Sequence, residues 1–249
     1  MAYARALAMQ GLGPDENRLA ESMRPHQQPS ILAFTIASPL AMKVARDRII
    51  ASALPVLEER SARERLWFVT VILPGWYFPL SELGRADPRG IGEALRKRII
   101  RLAAHHHHCA KGLLVGTLEV SLRTDKTGQP AGWQVHLHAI TDIKMTVLLK
   151  GLQKAQFGEG PSFVRVPVMP VTIQPNSLAR YVGYTFKIQV RCQNPACSNS
   201  TGDCRPAFPH ELPSDVSPEA LLWLDRWKLA DLALVMGTSC LRSAFRMGW

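Results

Sequence analysis

No window of this chain approaches the roughly 20 continuous apolar residues that a membrane span requires. Nor does Met1-Ala2-Tyr3-Ala4-Arg5 lead into an apolar segment long enough for a secretory signal, so a cytoplasmic protein without a membrane partner is expected. Acidic residues are also short in supply. Twenty Asp and Glu face thirty Lys and Arg, a formal net charge of +10 and a pI near 9.7. That balance favours a polyanionic partner such as nucleic acid, although charge of this size also serves plain solubility. Cysteine is scarce and odd in number: Cys109, Cys192, Cys197, Cys204 and Cys240. A disulfide framework is thereby disfavoured, which leaves reduced thiols or a metal site. Apolar residues, by contrast, are not in deficit. At 47% hydrophobic content over 249 residues the chain has an ordinary globular core, enough for one large domain or one domain with a small appendage.

Three zones follow along the chain. Residues 1–40 carry scattered Gly, Pro and Gln with little periodicity and read as a loosely ordered arm. Residues 41–190 hold the periodic segments. Apolar residues recur at helical spacing from Met42 to Arg60, with Pro55 expected to kink or divide that helix. Leu66 to Leu73, LWFVTVIL, reads as a buried strand that Pro74-Gly75 should end. Ile91, Leu95, Ile99 and Leu102 form one stripe of a helix whose other face carries Arg96, Lys97, Arg98 and Arg101. Such a face can lie along a phosphate backbone, or simply face solvent.

The chemistry concentrates between Leu113 and Ile140. Alternation in LLVGTLEVS and in WQVHLHAI predicts two strands, and the turn-forming RTDKTGQPAG between them makes a hairpin. His136 and His138 are two apart on a strand and so share a face. Pairing Glu119 with either histidine centres the hairpin at Thr127-Gly128, inside the predicted turn, and directly opposed residues share a face as well. Two imidazoles and a carboxylate suit a divalent ion with open positions, Mg²⁺ or Mn²⁺ if the partner is a phosphodiester. The alternative is a half-exposed strand that merely contains two histidines.

Downstream, Asn176 or Ser177 can cap a helix after Pro175, and Tyr181, Tyr184 and Lys187 then fall along one side of it at steps of three. A phenol is a weak nucleophile near neutral pH. It becomes useful where a metal polarises the phosphorus and a nearby cation such as Lys187 steadies the phenolate. Packing of amphipathic tyrosines against a sheet gives the same pattern.

Taken in order, the strand ending Thr70-Val71-Ile72-Leu73, then Glu119, then His136-Leu137-His138, then Tyr184-Thr185-Phe186-Lys187, resembles the three motifs of the HUH endonuclease superfamily. The likeness covers roughly residues 65–190 and is of the rolling-circle replication initiator kind. It implies that His136, His138 and Glu119 bind a divalent metal and that Tyr184 attacks the scissile phosphate of single-stranded or melted DNA. The products would be a 5′ phosphotyrosine and a free 3′ hydroxyl, with Lys187 as the helper. Tyr184 keeps the Tyr-x-x-Lys spacing; the other arrangement makes Tyr181 the nucleophile. Arg96, Lys97, Arg101 and Arg180 are then candidates to hold the DNA backbone, and Trp133 or Tyr181 to stack a base. A transposase or relaxase of the same superfamily, a metal-dependent nuclease that uses water, and a non-catalytic DNA-binding regulator are the competing readings.

Residues 191–249 add a Cys-containing loop and helices. Cys192, Cys197, Cys204 and His210 could form a small structural zinc loop, or remain free thiols in an irregular stretch. His105 to His108 follow the basic helix, where the helix dipole favours histidine. Ser217-Pro218-Glu219 reads as a helix start, and the apolar helix it opens should run to Gly237, with Arg242 and Arg246 beyond. The expected architecture is α+β: a central, mainly antiparallel sheet flanked by helices, with a helical C-terminal appendage.

Overall fold

The computed structural model describes residues 36–37, 39–105, 112–125, 129–155, 168–187, 190–193, 217–238 and 241. Most of the expected N-terminal arm, the turn residues 126–128 and the histidines at 106–108 lie outside them. So do Arg242 and Arg246.

The chain is α+β, with six strands in a mainly antiparallel sheet. In chain order the elements are α1 (Pro39–Ser61), β1 (Trp67–Pro79), α2 (Pro88–His105), β2 (Leu114–Thr124), β3 (Pro130–Thr141), α3 (Ile143–Ala155), β4 (Val168–Thr172), α4 (Leu178–Thr185), β5 (Arg191–Gln193), α5 (Ser217–Asp225), α6 (Leu229–Leu232) and β6 (Ala233–Met236). Spatially the sheet runs β4-β1-β3-β2, and the outer edge of β2 is shared by two short strands. There β5 pairs in parallel at Ser121–Arg123, and β6 pairs antiparallel at Leu114–Thr117.

The β2–β3 hairpin forms as its sequence demands, with Glu119 directly across from His136 and Thr117 across from His138. Its strands run further into the turn than their alternation indicated, because Asp125 and Gln129 close the end. The Asp125 amide donates to the Gln129 carbonyl, and the Asp125 carboxylate accepts the Gln129 amide.

Strand β1 departs from expectation at Pro74-Gly75, where it does not end. It continues to Pro79 with a shift of register against β3 between Ile72 and Tyr77. The buried Gln134 side chain makes that possible. Its amide donates toward the carbonyls of Leu73 and Trp76, and at 2.8 Å to that of Val135, so backbone oxygens that the irregular pairing leaves over are satisfied.

The two faces of the sheet carry different helices. Helix α3 starts at Asp142, whose buried carboxylate accepts the amides of Met145 and Leu113 and faces Arg60 at 3.3 Å. Thr146 on α3 touches Thr141, which alternates with the histidines, so α3 covers the face opposite to theirs. Helix α2 lies on that same far side. It packs against α3, and its Gly92 sits beside Leu234, which pairs with Gly116 on the far face. On the histidine face lies α4, which in turn packs against α1. Ala45, Ile49, Ala53 and Leu57, four residues apart, form the buried stripe of α1. That stripe holds the helix undivided through Pro55, where a kink or a division was expected. Tertiary packing of the stripe outweighs the one hydrogen bond that proline removes.

The C-terminal segment is the largest correction. The apolar run from Ser217 is not one helix: α5 stops at Asp225, α6 is a single turn, and Ala233–Met236 join the main sheet as β6. The all-round apolar character that suggested a buried helix fits a buried edge strand equally well, and the open backbone of β2 at Leu114–Thr117 decides between them. The described residues therefore show no separate helical appendage. Glu219, in the first turn of α5, ties this segment to the sheet by accepting hydrogen bonds from the amides of Ser81 and Leu83 and from the Trp133 indole.

Candidate metal centre

Strand alternation and hairpin register bring Glu119, His136 and His138 onto one face, all three buried. The His136 and His138 Nε2 atoms are 3.1 Å apart, and Glu119 Oε2 lies 3.9 and 3.8 Å from them. One ligand atom from each of the three falls within 4.8 Å of the others. Atoms bound about 2.1 Å from one ion stand roughly 3.0 to 3.4 Å apart in octahedral or tetrahedral geometry, so the imidazole pair already has that spacing.

Protonation states suit the same purpose. Burial holds the His136 imidazole down to about 4, against the opposing pull of the Gln134 carbonyl and with a further push from the Arg123 charge. Burial, and then His136, hold His138 well below its ordinary range. Both rings are neutral at pH 7 and offer lone pairs, as ligation requires. Two nitrogens and one carboxylate oxygen can hold a divalent metal ion.

The rings are held in place by their neighbours. His136 Nδ1 faces the Gln134 carbonyl at 3.4 Å, and His138 Nδ1 faces Thr70 Oγ1 at 2.9 Å. Phe68 stacks on His138 with ring centroids 5.4 Å apart. Around this group the sheet face stays polar. Thr117 and Ser121 flank Glu119 on β2, both buried, and neither hydroxyl has a hydrogen-bond partner among the described residues.

Over the histidines lies the tyrosine helix α4. Tyr184 is 47% exposed, and its ring meets His138 edge to face with centroids 5.3 Å apart. Tyr181 is half-buried, tilted against Phe68 at 5.4 Å, and belongs to the packing of α4 on the core. The helix ends at Thr185, so Lys187 lies just beyond it rather than on it. The Lys187 amide still donates to the Tyr184 carbonyl, and its Nζ sits 5.8 Å from the centre of the Tyr184 ring. Arg180, exposed and one turn before Tyr184, shares that side of the helix.

Other expected residues are not at this site. Trp133 is fully buried on the far face, its indole N–H donating to Glu219 at 2.7 Å, so it has no free ring face on which to stack a base. Arg96, Lys97 and Arg101 belong to α2 on the far side of the sheet, where Arg96 and Lys97 pair with Glu93. A groove of about 420 Å³ between α2 and β6, lined by Arg89, Glu93, Arg96 and Asp231 among others, is on that far side too, and its charges are matched in pairs. Of the proposed zinc loop, Cys192 contributes backbone to β5, while Cys197, Cys204 and His210 lie outside the described residues. Among the described residues no helix is long and apolar enough to cross a membrane.

Thr70, Phe68 and Gln134 are the neighbours that sequence reading left without a role at the site. Thr70 and Phe68 alternate with Val69 and Val71 on β1, a pattern that put them on one face without saying which strand they would meet.

Comparisons of the chain with protein families, with curated proteins and with solved structures return no match. What the fold and site define is an α+β protein whose antiparallel sheet carries a buried Glu-His-His group able to bind metal.

Proposed function

We propose that this chain is a metal-dependent endonuclease that nicks single-stranded or melted DNA through a tyrosine nucleophile, as rolling-circle replication initiators do. One observation carries the reading: an exposed tyrosine, Tyr184, lies in ring contact with His138 of the Glu119-His136-His138 group, with the Lys187 ammonium beside it.

His136, His138 and Glu119 would hold a divalent ion, which supplies positive charge to polarise a scissile phosphate. The Tyr184 phenolate oxygen attacks the phosphorus. A bond forms from that oxygen to phosphorus while the bond to the 3′ oxygen breaks, leaving a 5′ phosphotyrosine and a 3′ hydroxyl. The phenol's proton passes to solvent while Lys187 steadies the phenolate, and the departing 3′ oxygen takes up a proton from solvent to become the hydroxyl. Arg180 on the same side of α4 offers charge to the flanking backbone. Tyr181, half-buried against Phe68, serves α4 packing. The net charge of +10 favours the polyanionic partner this chemistry needs.

The test is a labelled single-stranded oligonucleotide incubated with protein and Mn²⁺, followed by denaturing electrophoresis. A covalent adduct is expected in the wild type and in Tyr181→Phe, and none in Tyr184→Phe. An adduct that persists in Tyr184→Phe overturns the assignment of the nucleophile. Cleavage with no adduct points to attack by water, and binding with neither leaves a DNA-binding protein without this activity.

A further inference from the structure

Hydrogen bonding on the inner side of the two imidazoles is unequal. His136 Nδ1 faces a backbone carbonyl, that of Gln134, which can only accept. His136 is therefore fixed with its hydrogen on Nδ1 and its lone pair on Nε2. His138 Nδ1 faces the Thr70 hydroxyl, which can donate or accept. The β1–β3 register sets Thr70 directly across from His138, and the stacked Phe68 ring holds the imidazole in plane.

From this geometry we infer that Thr70 is the positioning residue of the metal centre, keeping His138 aimed in both the metal-free and the metal-bound protein. The inference rests on the metal-centre reading above and assigns to Thr70 a part in it. Without metal, the two Nε2 atoms at 3.1 Å need one hydrogen between them. His136 has none to give there, so His138 carries it on Nε2, and Thr70 donates to the bare Nδ1. With a metal on both Nε2 atoms, His138 must instead carry its hydrogen on Nδ1, and Thr70 turns to accept it. One proton leaves Nε2 and one is taken up at Nδ1, so the ring stays neutral. A carbonyl at this position could serve only the metal-bound form, and an alkyl group neither.

Mn²⁺ titration of the metal-free protein, followed by calorimetry and by the electron paramagnetic resonance of free Mn²⁺, measures this without reference to cleavage. Thr70→Val, nearly the same shape, should bind Mn²⁺ about 10- to 100-fold more weakly. Thr70→Ser, which keeps the hydroxyl, should stay close to the wild type. Thermal melting of each variant without metal checks the fold, and Thr70→Ala replaces the valine variant if that one melts early. Nitrogen-15 spectra of the metal-free wild type should show His138 with its hydrogen on Nε2. If the wild type binds Mn²⁺ and Thr70→Val binds it equally well, Thr70 has no such part while the metal centre stands. If the wild type binds no Mn²⁺, the metal centre falls and the inference with it.

Discussion

The two faces of the central sheet share strands β1, β2 and β3 but not their chemistry. On the far face Leu118 and Val120 of β2 pair with Leu137 and Val135 of β3, and Leu114 and Ala139 share that face, all of them buried and apolar. On the near face the same two strands present Thr117, Glu119, Ser121, Gln134, His136 and His138, also buried and all polar. Burying polar groups costs free energy unless each is paired, and here two hydroxyls have no partner among the described residues. The far face therefore supplies stability, and the near face uses some of it to hold functional groups out of water.

A cavity on the far face should have the largest effect on folding and none on chemistry. Leu137→Ala is expected to lower unfolding free energy by about 2 to 5 kcal/mol, while the Mn²⁺ affinity of the folded fraction is unchanged. Denaturant unfolding and metal titration together read this, and a large loss of affinity would show that the faces are not separable.

Acid should act through the near face. An exposed imidazole titrates near 6.5, whereas burial holds His136 at about 4, so in that interval the unfolded chain binds a proton that the native protein does not. A histidine with a depressed value contributes fully above pH 6.5 and loses that contribution as the pH falls. The metal-free protein should accordingly lose stability through His136 as the pH falls from 6.5 towards 4, by on the order of 3 kcal/mol in all. His138, displaced the same way, steepens the fall. The comparison is with His136→Leu, whose denaturation midpoint should vary less over the same range. Equal slopes for the two proteins would mean that His136 is not buried and neutral as described.

Glu119→Gln gives the smallest change, and only with metal present. An ion bound to the native state alone at 100 times its dissociation constant adds about 2.7 kcal/mol. That increment, read as a rise in melting temperature on adding Mn²⁺, should vanish in Glu119→Gln and persist in Leu137→Ala. A full Mn²⁺ response in Glu119→Gln would remove the carboxylate from the ligand set.

Parts of the fold governed by local rules were legible in the sequence. Alternation and turn composition put Glu119 opposite His136, and the stripe of Leu95 and Ile99 on α2 is buried as its period demands. Features settled at long range were not. Whether Pro74-Gly75 ends a strand depends on a glutamine sixty residues away in the chain that satisfies the loose carbonyls. Trp133 alternates like any strand residue, and only Glu219 arriving from α5 reveals that its indole is sealed. Ala233–Met236 read as helix because their hydrophobicity is the same in either state, and the vacant edge of β2 is invisible in the local pattern. The tyrosines fall between these cases. Their spacing indicated one shared side, but only tertiary packing separates half-buried Tyr181 from exposed Tyr184.

The pairing of Leu114–Thr117 with Ala233–Met236 has a kinetic side. More than a hundred residues separate the two partners, so closing this ladder carries a large loop entropy and belongs late in folding. During synthesis the β2–β3 hairpin, with Glu119, His136 and His138 already in register, leaves the ribosome well before the strand that covers its edge. Until then β2 offers unpaired backbone groups two residues from Glu119, a template on which a second chain can pair. Aggregation of nascent or truncated protein is thus expected to begin at β2, beside the metal ligands.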